Sequence, residues 1–302
     1  MDSAVVVGVD GSEAALAAVR LAAAEAARRH RPLRVVHAFI WPSLHSPFTP
    51  GTEGPADGGL RGQAHQLVTA AVDEAQTTAP GLRVTGEIVD GAPTAVLLQA
   101  SDDAALVVLG DRGLGGFTAL VVGSVAVTVA AHARCPVLVA RGTADPQGPI
   151  VVGVDGSDVS RRAVEFAVQT AAFRGATVVA THAYRHPAST GPGDMQPLVY
   201  DESQLQAEEE RALAESITGL TDRYPEVTIR RESVRGRAPK VLTEASRTAQ
   251  LLVVGGQGRG ELTGLLLGSV SRSMLHHSHC PVAVVRGGRG WPPARRVDGA
   301  RT

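Results

Sequence analysis

The sequence predicts two α/β domains in tandem, each a five-stranded parallel sheet with helices on both faces. Three observations point there. First, the chain repeats itself: VVVGVDGS (5–12) returns as IVVGVDGS (150–157), at an offset of 145 that carries Asp10 onto Asp155. The same offset maps VVHAF (35–39) onto VATHAY (179–184) through His37 and His182, and LVVLGDRG (106–113) onto LLVVGGQG (251–258). It also maps LVVGSV (120–125) onto LLLGSV (265–270) and RCPVLVAR (134–141) onto HCPVAVVR (279–286). Second, the β-branched segments are continuous apolar runs, the mark of strands covered on both faces. Third, helix-patterned segments separate those runs, which gives right-handed crossovers and a doubly wound sandwich. A length of 302 residues suits two such domains. We place them at 1–145 and 146–287, with an Arg-, Gly- and Pro-rich tail at 288–302 expected to be disordered.

The elements follow in order. VVVGV (5–9) is a short strand ending in the turn signal Asp-Gly-Ser, and Ser12 is placed to cap an Ala-rich helix over 13–29. A second strand spans 33–39. A second helix spans 61–79, with Leu67, Ala71 and Ala75 at helical spacing. Residues 82–89 read as strand three, and 94–102 as helix three, with Pro93 at its first turn. LVVLG (106–110) is strand four. A glycine-rich loop follows, then a helix opening near Gly123-Ser124, and PVLVA (136–140) closes the unit. The second half repeats this from Ile150 to Arg286.

Composition narrows the function. With 44% hydrophobic and 20% charged residues the chain is globular, and 3% aromatic residues leave the core to Val, Leu, Ile and Ala. A formal net charge of −1 gives no global field toward nucleic acid or anionic membrane, so neither is expected as a partner. The uncharged stretch 113–133 is long enough to span a bilayer. Its counterpart at 258–278 contains Arg259, Glu261 and Arg272, which excludes a membrane segment. Two cysteines cannot form a disulfide framework, and the start of the chain lacks a signal-peptide pattern, so the cytoplasm is the expected compartment. The single lysine, Lys240, excludes a mechanism with a phosphate-binding lysine in each half.

Ligands of doubly wound sheets bind at the carboxyl ends of the strands, near the switch in strand order. The repeated pattern lies there: Gly110, Gly113, then nine residues and Gly123-Ser124, matched by Gly255, Gly258, nine residues and Gly268-Ser269. Glycines in such a loop let the backbone adopt φ > 0 and approach a ligand without a Cβ in the way. Successive exposed N–H groups form an anion nest, and a helix N-terminus adds unpaired donors with about half a positive charge. A polyphosphate gripped by backbone amides, a serine hydroxyl and a helix end needs no lysine. Arg112 in the first loop and Arg259 after the second supply the cationic groups, although Asp111 beside Arg112 would repel a phosphate.

This pattern resembles that of the universal stress protein family in its tandem form, over roughly 3–141 and 148–286. Within that family G-x2-G-x9-G-(S/T) marks the ATP-binding branch. The resemblance implies Rossmann-like domains of the adenine nucleotide α-hydrolase-like type, each with one ATP site, the ATP carried with Mg2+. It implies that Asp10 and Asp155 contact the adenosine, with Gly8 and Gly153 beside it. The backbones of Ala38 and Ala183 recognise the adenine edge. Gly110, Gly113, Gly123 and Ser124 cradle ribose and phosphates, as do Gly255, Gly258, Gly268 and Ser269. A cytoplasmic homodimer is implied, acting as a nucleotide-dependent regulator or sensor in stress or dormancy through an unidentified protein partner, with at most slow ATP hydrolysis.

The alternative is an ATP-hydrolysing or nucleotidyl-transferring enzyme on a related α/β fold. Against it, the sequence has no Walker lysine motif, no HxGH signature, no Ser-Gly-Gly loop after strand one and no paired carboxylates at the glycine loop. A dinucleotide oxidoreductase needs G-x-G-x-x-G, where this chain has VDGSEAA (9–15). Other features read as structural. His276, His277 and His279 sit at a helix end, where the dipole favours imidazoles, and their spacing is poor for chelation. No metal ligands are therefore assigned. His37 and His182 read as satisfied core histidines, Cys135 and Cys280 as packing residues, and Glu208–Glu210 as a solvated helix face. The loops 41–60 and 185–200 follow strand two and would cover the adenosine end.

Overall fold

The computed structural model describes residues 3–40, 59–113, 122–184, 211, 213–258 and 267–287. In the first half these form β1 (Val5–Gly8), α1 (Glu13–Arg28), β2 (Leu33–Phe39), α2 (Leu60–Thr78), β3 (Val84–Asp90), α3 (Pro93–Ala100), β4 (Leu106–Gly110), α4 (Ser124–His132) and β5 (Val137–Ala140). The second half gives β6 (Ile150–Val154), α5 (Asp158–Arg174), β7 (Val178–Tyr184), α6 (Leu220–Arg223), β8 (Ile229–Arg235), α7 (Ala238–Ala245), β9 (Leu251–Gly255), α8 (Ser269–His277) and β10 (Val282–Val285).

Ser12 caps α1 as its position ahead of the alanine run predicts, its Oγ accepting from Ala15 N at 3.1 Å; Ser157 does the same for α5, accepting from Ser160 N at 3.1 Å. The two helices end differently. Gly175 closes α5 in the left-handed region at φ 62°, while the matching residue after α1, His30, adopts φ 51° with a side chain attached.

The strands of both halves share one sheet, in the order β3-β2-β1-β4-β5-β10-β9-β6-β7-β8. Each set of five is parallel, in agreement with the sequence. The two sets meet where β5 and β10 run antiparallel, pairing Val137 with Val284, Leu138 with Ala283 and Val139 with Val282. Alternation along each strand feeds two apolar layers. Val5, Val7 and Val108 point toward α1, α2 and α5, and Val6, Val107 and Leu109 toward α3, α4, α7 and α8. Each layer runs through both halves. The buried alanines of α1 (Ala15, Ala18, Ala22, Ala23 and Ala26) let its backbone lie close on the sheet.

A polar network crosses the junction beneath these layers. The buried Glu25 carboxylate accepts from Arg29 Nε at 3.0 Å and from Arg174 Nε and Nη2 at 3.0 and 2.8 Å. Arg29 also donates to Thr170 Oγ1 at 3.0 Å, and its guanidinium lies 5.3 and 5.4 Å from the ring centroids of Phe166 and Phe173. Arg174 donates to Gln250 Oε1 at 2.9 Å, and Gln250 Nε2 to Gly148 O at 2.8 Å. Burial pushes the Glu25 carboxyl up, but the Arg174 and Arg29 guanidiniums outweigh it and hold the value at about 2.

Candidate functional site

The strand order reverses between β1 and β4 in the first half and between β6 and β9 in the second. A crevice belongs at the carboxyl ends of those strands. In the first half a cleft of about 320 Å³ opens there, within the range of small-molecule sites. All eight residues assigned to that half line it: Gly8, Asp10, Ala38, Gly110, Arg112, Gly113, Gly123 and Ser124. Sequence reasoning missed the apolar wall that completes the cleft, formed by Val36, Pro93, Leu97 and Leu109. The signal was present in the repeat, which places Thr181, Leu242 and Val254 opposite Val36, Leu97 and Leu109.

The glycines have separate physical reasons. Contrary to the expectation from the loop motif, none of them lies at positive φ; in the site region that conformation belongs to Gly11 (88°) and Gly156 (76°), in the turns after β1 and β6. The motif glycines instead make room. A Cβ on Gly113 would lie 2.3 Å from Asp10 Oδ2, and one on Gly258 2.4 Å from Asp155 Oδ2, so each glycine admits the carboxylate beside it. A Cβ on Gly110 would meet the Ala14 carbonyl carbon and oxygen at 2.7 Å, so this glycine seats the first turn of α1 on β4. Gly8 makes room for Leu109 and Leu97, at 2.8 and 2.9 Å, and Gly153 for Leu242 at 2.9 Å. At Gly255 the nearest group is Val159, at 3.1 Å. Gly123 and Gly268 differ: among the described residues no atom would come closer than 3.6 and 3.5 Å, which leaves space for something else.

Those two residues are the N-caps of α4 and α8, extended at φ −68° and −66°, and no side chain caps either helix. The first-turn N–H groups of a helix have no intrahelical acceptor. In α4 they open on the cleft that Ser124 and Ala126 line, a ready anion site. The loop is held from behind by Gly123 N donating to Asp111 O and Gly268 N to Gly256 O, both at 2.7 Å. Asp10 Oδ1 accepts from Ser12 N at 3.0 Å. Asp155 Oδ1 accepts from Ser157 N at 3.0 Å and from Ser157 Oγ at 2.6 Å. Each carboxylate is thereby fixed at the end of its strand.

Arg112 borders the cleft with an exposed side chain, its Nε 4.0 Å from Asp111 Oδ2. Arg259, the loops 41–58 and 185–200, Glu208–Glu210 and the tail 288–302 lie outside the described residues. His37 Nδ1 lies 2.8 Å from Val9 O, and His182 Nδ1 2.7 Å from Val154 O. A carbonyl only accepts, so Nδ1 carries the proton and each ring is anchored to the strand beside it. Burial pushes the Cys135 thiol up to about 12 and the Cys280 thiol to about 11, as suits packing residues. Burial, and then His277, lowers His276. Among the described residues no three His, Cys, Asp or Glu side chains are grouped to hold a metal ion, and no helix is long and apolar enough to cross a membrane.

Fold and site together define a duplicated, doubly wound α/β protein with a ligand-sized cleft at the switch point of its first half. The family model described as the universal stress protein family matches residues 2–141 and again 148–286. Two universal stress proteins of Mycobacterium tuberculosis (strain H37Rv) are 38% and 37% identical over 296 and 302 residues, covering 93% of this chain and 96% and 94% of their own. The chain belongs to the universal stress protein family. Its overall shape matches a crystal structure of a universal stress protein from Archaeoglobus fulgidus, with a TM-score of 0.66 at 18% identity, covering 96% of this chain and 98% of that one.

Proposed function

We propose that this protein binds ATP in each half and acts as a nucleotide-dependent regulator of a stress or dormancy response rather than as an enzyme. The observation that carries the reading is the first cleft, which Asp10, Ala38 and the N-terminus of α4, without a side-chain cap, line together. Adenosine lies against Gly8, Asp10 and Ala38, between the apolar side chains of Leu97 and Leu109. The phosphates reach Gly113, Gly123, Ser124 and Arg112. In the second half Gly153, Asp155 and Ala183 take the adenosine. Gly255, Gly258, Gly268 and Ser269 take the ribose and phosphates, with Arg259 as the cation.

The described lining holds one carboxylate, Asp10, which fits a Mg2+ ion that arrives on the triphosphate and keeps most of its ligands from phosphate and water. Among the described lining residues Asp10 has no second carboxylate beside it, and the His37 ring is anchored to Val9 O through Nδ1, an arrangement that favours binding over turnover. We place the protein in the cytoplasm as a homodimer. Its second contact uses surfaces other than β5 and β10, which pair within the chain.

The test is to denature the purified protein, identify the released small molecules, and titrate the emptied protein with ATP and Mg2+. Release or binding of ATP, one equivalent per half, is expected. Recovery of no adenine nucleotide together with no binding would end the reading, and sustained turnover of several ATP per second would replace it with the enzymatic alternative.

A further inference from the structure

The two halves are built on the same register, which makes one difference between the wall of the first cleft and its counterpart in the second half informative. In the first half Gly8 of β1 pairs with Val36 of β2, and Val36, only 2% exposed, lines the cleft. In the second half Gly153 of β6 pairs with Thr181 of β7, also 2% exposed. The neighbours correspond as well. Gly8 faces Leu97 and Leu109, and Gly153 faces Leu242 and Val254. Valine and threonine have nearly the same shape, so the exchange alters hydrogen bonding and leaves volume almost unchanged.

Among the described residues the Thr181 hydroxyl has no hydrogen-bond partner. In this half Thr170 Oγ1 donates to Phe166 O at 2.7 Å and Ser246 Oγ to Thr243 O at 2.6 Å, whereas Ser233 Oγ on β8 shares the lack of a partner. A buried hydroxyl without a partner is costly, and nothing in the packing requires threonine where valine serves in the other half. Thr181 also lies two residues before Ala183 on the same face of β7, one pleat from the base-recognition position.

We propose that Thr181 hydrogen-bonds the base of the nucleotide in the second cleft, a contact Val36 cannot make in the first, so that the two halves differ in base preference. The inference rests on the nucleotide reading above and deepens it. A hydroxyl rotates to donate or to accept, so it can satisfy either an amino or an oxo group on a purine edge. The second cleft therefore tolerates a 6-oxo purine better than the first, whose valine offers nothing to replace a lost contact.

The experiment uses the full chain with one cleft closed at a time, by Gly113→Glu or Gly258→Glu, and measures the dissociation constants of ATP and inosine triphosphate by titration calorimetry. With the first cleft closed, the ratio of the two constants is expected to lie several-fold nearer unity than with the second closed. Thr181→Val should move the second cleft's ratio to that of the first. Val36→Thr, the reciprocal change, should move the first cleft's ratio the other way. Unchanged ratios in both variants would overturn the inference while leaving the nucleotide reading intact, whereas binding confined to the first cleft would overturn the inference and restrict the nucleotide reading to the first half. Binding in neither cleft, in a protein whose thermal unfolding is that of the parent, would overturn the nucleotide reading itself.

Discussion

The two halves follow one backbone path with different chemistry along it. Gly8 and Gly153, Asp10 and Asp155, and Gly113 and Gly258 are identical, and each pair fills the same steric or hydrogen-bonding role. Elsewhere the copies diverge. Glu25 answers to Thr170, His30 to Gly175, Asp111 to Gly256 and Val36 to Thr181. At the strand ends of the site the glycines that make room and the aspartates that hold the turn are retained in both copies. At the junction and along the walls, charge and hydrogen bonding have parted. The junction shows why this is workable: Glu25 of α1 reaches Arg174 of α5, and the reciprocal pair joins Thr170 of α5 to Arg29 of α1. One buried carboxylate between the buried guanidiniums of Arg29 and Arg174 serves both copies, and a second would add a further buried charge at the same junction.

The strongest way to separate the halves is at the glycines beside the aspartates. Gly113→Glu brings a carboxylate against Asp10 and into the phosphate end of the first cleft. Like charges so placed cost several kcal/mol, so ATP affinity there should fall roughly 100-fold or more. The second cleft keeps its affinity, and calorimetric stoichiometry drops by one site; Gly258→Glu should do the reverse. Loss of both sites from either change would show that the clefts are not independent.

Next in size is the junction. Glu25→Gln strands two buried guanidiniums and should lower the unfolding free energy by about 3–5 kcal/mol in urea. Thr170→Val, at the matching position, removes a neutral partner and should cost about 1 kcal/mol. Equal effects would mean that the junction is symmetric after all. Acid tests the same asymmetry. Glu25 lies at about 2 in the folded chain, well below the 4.5 of an ordinary glutamate, so its contribution of about 3 kcal/mol is complete above pH 4.5. It fades as pH falls from 4.5 toward 2. Glu25→Gln should flatten that part of a stability–pH curve, and an unchanged slope would place the acid sensitivity elsewhere.

The smallest expected effect lies at the helix ends. His30→Gly relieves a side chain held at positive φ and should raise stability by about 0.5–1 kcal/mol. Gly175→Ala should lower it by about 1 kcal/mol, both read from thermal unfolding.

Much of this was legible in the sequence. Ser12 ahead of an alanine run announces a capped helix, and the offset carrying Asp10 onto Asp155 announces the duplication and the strands that bear the site. The reason for the motif glycines was not legible, because positive φ and close approach leave the same letter. Gly110 illustrates the point, since what it admits is the backbone of Ala14. The pairing of β5 with β10 was also hidden: Val137–Ala140 and Val282–Val285 are four-residue apolar runs that look alike on either side of any sheet. Glu25 gave no warning, because an acid in an alanine-rich helix reads as solvent-facing until a second helix is laid across it.

That antiparallel seam also governs how the molecule responds to dilution. Two separate one-domain chains would hold together only above their dissociation constant. Here residues 141–149 connect the two copies and keep their effective concentration on the order of millimolar at any level of expression. The seam therefore stays closed when the protein is scarce, and each half always meets the other already in place.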